Sequence, residues 1–186
     1  METTGLSTEL QRVVTEIADV SRYIWESGWS AANGGNLTMD VTDAVSASDF
    51  TPGATATLPL PVSVPPLGGR SLFVTVSGSR FRDVPCKPAQ TLMLLKVSPD
   101  AASCEVLWGG DGGGGKPTVE FIPHLKVHCY LRSRDLPQCV VLHTHPQHLI
   151  AMTHLPEYRN PDFERVLQTS QTTAKVFLGE GVGMTR

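Results

Sequence analysis

The sequence predicts an α/β layered domain with a largely antiparallel sheet, and three observations carry that prediction. Apolar residues recur at helical spacing near the N-terminus and again around residues 118–134. Short strand-like runs lie between and after them: LFVTVS (72–77), LMLLKV (92–97), CEVLW (104–108) and VVLHTH (140–145). Ser98-Pro99-Asp100 begins a connection short enough for a hairpin, which favours antiparallel pairing. Helices and strands of this kind bury their apolar faces by stacking in layers. With 186 residues, 40% of them hydrophobic, the chain has material for one core and is expected to form a single domain, 1–186.

Taken in order, Leu10, Val13, Val14, Ile17, Ser21, Ile24 and Trp25 mark an amphipathic opening helix, with Thr8 and Gln11 as a capping box. The helix runs into Gly28, and GGNLTMDV then reads as a glycine turn entering a short strand with Leu37, Met39 and Val41 on one face. Residues 42–70 are dominated by Thr, Pro, Ser, Gly and Ala and are expected to be a flexible insertion within the domain. WGGDGGGGKP cannot hold regular structure. It delivers the chain to TVEFIPHLKVHCYLRSR, a helix in which Pro123 is tolerable only near the first turn. After VVLHTH, LIAMTHL and FERVLQTS suggest further helix, and AKVFLGEGVG a final strand and turn. No internal repeat is visible.

Composition excludes several classes. The net charge is −3 and the pI about 6.0, with no lysine or arginine run to neutralise a row of phosphates, so neither nucleic acid nor a membrane surface is an expected partner. The N-terminal METTGLSTELQ lacks a secretory pattern, and no apolar run approaches spanning length. Cys86, Cys104, Cys129 and Cys139 form no CxxC pair, which suits reduced thiols. The expected location is the cytoplasm.

Chemistry concentrates in a few positions. His143 and His145 lie two apart, so on a strand both leave the same face and can reach one divalent metal ion. His124 and His128, four apart, form a rival pair on one helix face; Leu125 stands where the HExxH pattern needs its glutamate. Glu120 has two readings: a carboxylate favoured by the helix dipole, or a general base beside a metal-bound substrate. Asn33-Gly34-Gly35-Asn36 and Ser77-Gly78-Ser79 are short clusters able to turn donors toward a phosphate, or plain glycine turns.

With GWSAANGGNLT (28–38), FVTVSGSRFRDV (73–84), VLWGG (106–110), KPTVEFIPHLKVH (116–128) and VVLHTHPQHLIAMTH (140–154) in this order, the sequence resembles the class II aldolase and adducin family, rhamnulose-1-phosphate aldolase branch. The resemblance implies an α/β/α sandwich around an antiparallel sheet, assembled as a homotetramer. It implies zinc-dependent retro-aldol cleavage of L-rhamnulose 1-phosphate to dihydroxyacetone phosphate and L-lactaldehyde. In its terms His143 and His145 are two of three zinc histidines and Glu120 is the catalytic glutamate. Asn33, Gly35, Asn36, Ser77, Gly78 and Thr118 belong to the phosphate-holding loops, and His124 and His128 fall outside the metal shell.

The chain departs from the family pattern in several places. Val119 replaces a hydroxyl residue, Val76 a glycine and Thr173 an acidic residue. The sequence stops before the segment that holds the third zinc histidine. The expectation is therefore a C-terminally incomplete domain, inactive as it stands. A sibling aldolase, a pentulose-phosphate 4-epimerase and a non-catalytic adducin-like module are the alternatives.

Overall fold

Helix α1 (Thr8–Glu26) turns Leu10, Val13, Val14, Ile17, Ala18, Ser21 and Ile24 inward, the stripe that its sequence spacing predicts. Its cap lies one residue earlier than the sequence suggests. Ser7 accepts from the Leu10 N–H, and Gln11 Nε2 donates to the Leu6 carbonyl instead of closing a box with Thr8. Asp49 explains the shift: its carboxylate accepts from the Ser7 N–H at 2.6 Å and from the Ser46 N–H at 2.8 Å, which fixes Ser7 at the helix entrance.

The computed structural model describes residues 3–46, 49 and 56–155. Within them lies a six-stranded antiparallel sheet. Its order is β2 (Thr57–Pro59), β5 (Ser103–Gly109), β4 (Leu92–Val97), β3 (Ser71–Thr75), β1 (Asn36–Asp40) and β6 (Val140–His143). The expected hairpin is present: β4 and β5 pair antiparallel, with a register shift between Leu94 and Leu95. Strand β2 is a finding that composition did not announce. It pairs Thr57–Pro59 with Ser103–Glu105, and the 3-10 turn Pro65–Leu67 after it buries Val64 and Leu67. The latter part of the stretch expected as a flexible insertion is thus built into the sheet edge and the core.

Alternation along the central strands separates two cores. Leu92, Leu94 and Phe73 face the α1 side, whereas Met93, Leu95, Leu72 and Val74 face Phe121 and Leu125. The latter two belong to helix α4 (Phe121–Ser133), so helices cover both faces of the sheet, an α/β/α arrangement. Two single turns precede it, α2 (Pro88–Thr91) and α3 (Gly110–Gly113). In the latter, Asp111 and Gly112 take φ of 56° and 75°, so the glycine run is a left-handed turn and not a true helix. Pro123 falls in the first turn of α4, where its missing N–H costs nothing.

Beyond His145, a second unit begins at Pro146, and in its described part helix α5 (Gln147–Thr153) carries His148. FERVLQTS, AKVFLGEGVG and Thr173 lie outside the described residues. No described helix is long and apolar enough to cross a membrane.

Candidate active site

Strand register brings the distant motifs together. β1 pairs with β6 so that Asn36 stands opposite His143, and the glycine turn before Asn36 runs beside the end of β6. That approach needs glycine. A Cβ on Gly35, whose φ is +85°, would sit 2.7 Å from the His143 carbonyl oxygen, and one on Gly34 would meet His145 Nδ1 at 2.8 Å. The strand itself ends at His143, so His145 lies just beyond it and not on it as the spacing suggested. The His145 N–H donates to the Trp29 carbonyl at 2.7 Å, and this holds its ring next to that of His143, the centroids 4.7 Å apart.

The two Nε2 atoms converge to 3.1 Å. Two imidazole nitrogens each about 2.0–2.1 Å from a tetrahedral zinc ion lie roughly 3.3 Å apart, so this donor pair fits a shared ion. His143 Nδ1 is engaged on its other side by Glu120 Oε2, the arrangement in which a carboxylate fixes the orientation of a metal-facing imidazole. Among the described residues, no set of three His, Cys, Asp or Glu is arranged to hold a metal ion. The pair turns two imidazole nitrogens to one point, and among the described residues no third donor is arranged with them.

Glu120 occupies the cap position just ahead of α4, but its side chain makes no capping hydrogen bond. Its Oε2 accepts from Asn36 Nδ2 at 2.7 Å, and that bond, with His143 adding to it, holds the carboxyl below its ordinary pKa despite the cost of burial. Glu120 is an anion with its side chain 38% exposed, reachable by a ligand.

A cavity of about 250 Å³ opens over these groups. Its wall includes Asn33, Gly35, Asn36, Ser77, Gly78, Thr118, Glu120, His143 and His145, so every position to which the family resemblance gave a metal, catalytic or phosphate role lines one space. Val76 and Val119 line it too, the latter 86% exposed. Among the described lining residues there is no lysine or arginine, so these offer an anion neutral donors only. The Ser77 N–H is committed to the Lys116 carbonyl at 2.8 Å, which leaves the Ser77 hydroxyl and the Gly78 N–H as this loop's contribution.

The rival pair is placed elsewhere. His124 and His128 are buried under α4, where Thr38 Oγ1 on β1 bonds His124 Nδ1 at 3.0 Å and His128 Nε2 at 2.8 Å. One hydroxyl occupies the space that a shared ion would need. Sequence reasoning missed Thr38 altogether, since a threonine on a short strand carries no signal of its partners.

The layered α/β domain thus brings a convergent histidine pair, a carboxylate beside it and two glycine-bearing loops to one cavity. The chain belongs to the class II aldolase and adducin N-terminal domain family, whose model matches residues 15–186. It is 34% identical over 171 residues to a rhamnulose-1-phosphate aldolase of Listeria welshimeri, covering 91% of this chain and 61% of that protein. It is likewise 34% identical over 163 residues to one of Shigella boydii, covering 86% and 59%. The chain thus spans about three fifths of the length of these relatives. A sugar-phosphate aldolase from Thermotoga maritima shares the fold, with a TM-score of 0.78, 24% identity, and coverage of 95% of this chain and 72% of that one.

Proposed function

We propose that this chain is the site-bearing part of a zinc-dependent aldolase that cleaves L-rhamnulose 1-phosphate to dihydroxyacetone phosphate and L-lactaldehyde. One observation carries the reading: Glu120 is held as an anion between Asn36 and His143, in the cavity onto which the two histidine Nε2 atoms converge. The 34% identity to rhamnulose-1-phosphate aldolases supports this choice of substrate. His143 and His145 would hold the ion, which when bound supplies Lewis-acid polarisation of the ketone.

The protein's own groups do the rest. In the condensation direction the Glu120 carboxylate takes a proton from the hydroxymethyl carbon of the ketone. In cleavage the hydroxyl that becomes the aldehyde gives up its proton, and the pair of the breaking carbon–carbon bond passes into the enediolate. Glu120, once it has taken up a proton, delivers it to the hydroxymethyl carbon, so that overall one proton moves from oxygen to carbon. Asn33, Asn36, Ser77, Gly78 and Thr118 offer neutral donors for the phosphate, so binding energy remote from the scissile bond aligns it. Val119 and Val76 add an apolar rim in place of further donors. A homotetramer belongs to the same reading, and the exposed Tyr23, Trp25 and Trp29 supply apolar surface for subunit contact.

The test is a comparison of rhamnulose, fuculose and ribulose phosphates with the complete, zinc-loaded protein. Cleavage of the first in preference to the others is expected. Preference for either of the others reassigns the substrate, and no turnover of any of them returns the chain to the adducin-like, non-catalytic reading.

A further inference from the structure

Glu120, at the cap position of α4, and His124 and His128 within it follow one another at intervals of four, and the His124 N–H donates to the Glu120 carbonyl at 3.1 Å, so the three line up on one side of the helix. Asn36 and Thr38 are two apart on β1 and share one face of that strand. The two spacings match. Four residues of helix rise about 6 Å and two residues of strand about 6.7 Å. Asn36 therefore meets Glu120 at 2.7 Å while Thr38 meets His124 at 3.0 Å, one rung further along. Thr38 and His128 are 0% exposed and His124 is 4% exposed, so the second rung is closed to water.

The proton inventory of that rung is restrictive. Burial pushes the His128 ring down to about 4, and burial also lowers His124 against the pull of Glu120, so at neutral pH both rings are uncharged. Each uncharged ring has one N–H and one acceptor nitrogen, and the Thr38 hydroxyl has a single proton to donate. His128 Nδ1 is buried with no hydrogen-bond partner. An orphaned N–H in such a place is rarer than an orphaned acceptor, so the proton of His128 belongs on Nε2. Thr38 then accepts from His128, and its own proton is free to go to His124 Nδ1.

We propose that Thr38, His124 and His128 are positioning residues for Glu120, joined by a directed chain from His128 Nε2–H to the Thr38 hydroxyl to His124 Nδ1. Apolar side chains in the same space would also hold α4 against the sheet, but they would leave it free to slide along β1. Directional bonds fix the axial register, and with it the height at which Glu120 meets Asn36 and His143. The proposal rests on the reading of Glu120 as the proton-handling group.

Two measurements test it. In long-range ¹H–¹⁵N spectra of the histidine-labelled chain at pH 7, both His124 and His128 are expected as neutral Nε2–H tautomers; a protonated ring, or His128 as the Nδ1–H tautomer, overturns the chain. In the complete protein, Thr38→Val is expected to lower kcat by about 10- to 100-fold, with KM and bound zinc unchanged, and Thr38→Ser to restore it. Normal kcat in the valine variant, or a serine variant no better than valine, sinks the proposal.

Should Thr38→Val not fold, His124→Asn against His124→Leu makes the same comparison, because the asparagine oxygen still accepts the Thr38 proton; equal losses in the two count against it. Glu120→Gln run alongside separates the two claims. If it turns over normally, the functional reading falls and the positioning role with it. If it is inactive while Thr38→Val is normal, only the positioning role falls.

Discussion

At the scale of single residues, the site depends on which nitrogen of each histidine is spoken for. His143 gives Nδ1 to Glu120 and turns Nε2 toward His145 Nε2, 3.1 Å away. Each ring would supply about a third of the protein ligands of an open catalytic zinc site. Alanine at either position is therefore expected to abolish zinc retention and turnover together, as metal analysis of the purified variants would read; full zinc content in either variant rules the pair out. Glu120→Gln should behave otherwise, keeping the metal and the fold while turnover drops by about 10²- to 10⁴-fold. Loss of thermal stability with near-normal turnover would mark Glu120 as structural. The histidine pair was legible in the sequence because a spacing of two is a strand signature, and Glu120 because a carboxylate opened a helix. What no spacing announces is a partner far along the chain: Asn36 lies 84 positions from Glu120, and Thr38 lies 86 and 90 from its two histidines. Only the pairing of β1 with β6 and the crossing of α4 bring them together.

At the scale of elements, α4 is an unusual helix, since its sheet-facing side carries imidazoles beside Phe121 and Leu125. A buried neutral histidine links its stability to pH. The folded His128 titrates near 4 and the unfolded ring near its ordinary 6.5, so between those values the unfolded chain binds the proton more readily. Its contribution is fully present above about pH 6.5 and is lost as the pH falls toward 4, roughly 3 kcal/mol in all. Melting temperature measured from pH 7.5 to 5 should fall, and His128→Gln, which keeps a donor for Thr38, should flatten that fall. Parallel curves for the two proteins would show that His128 is not the source. The other elements show how far patterns reach. α1 and the β4–β5 hairpin follow from periodicity, because each has an apolar face of regular repeat. β2 does not, since Thr57-Leu58-Pro59 is too short and too polar to stand out, and only the free edge of β5 makes it a strand. The α1 cap moved for a similar reason: Asp49, 42 residues away, selects Ser7.

At the scale of the whole molecule, the question is what this length of chain can hold. Its six histidines are His124, His128, His143, His145, His148 and His154, and residues 156–186 contain neither histidine nor cysteine. Thr38 engages the first two under α4. A third imidazole from within residues 1–186 would then have to be His148 or His154. A site that needs three protein ligands has neither its geometry nor its affinity fixed by two. If neither His148 nor His154 supplies that ligand, purified residues 1–186 should lose zinc on dialysis against a mild chelator and show no measurable cleavage of rhamnulose 1-phosphate. Val140 and Leu142 on β6, an edge strand among the described residues, are each 42% exposed, which adds a tendency of that polypeptide to self-associate, visible by light scattering. Robust metal-dependent turnover by residues 1–186 would contradict the expectation. His148→Ala and His154→Ala would then test whether either imidazole is needed for that turnover.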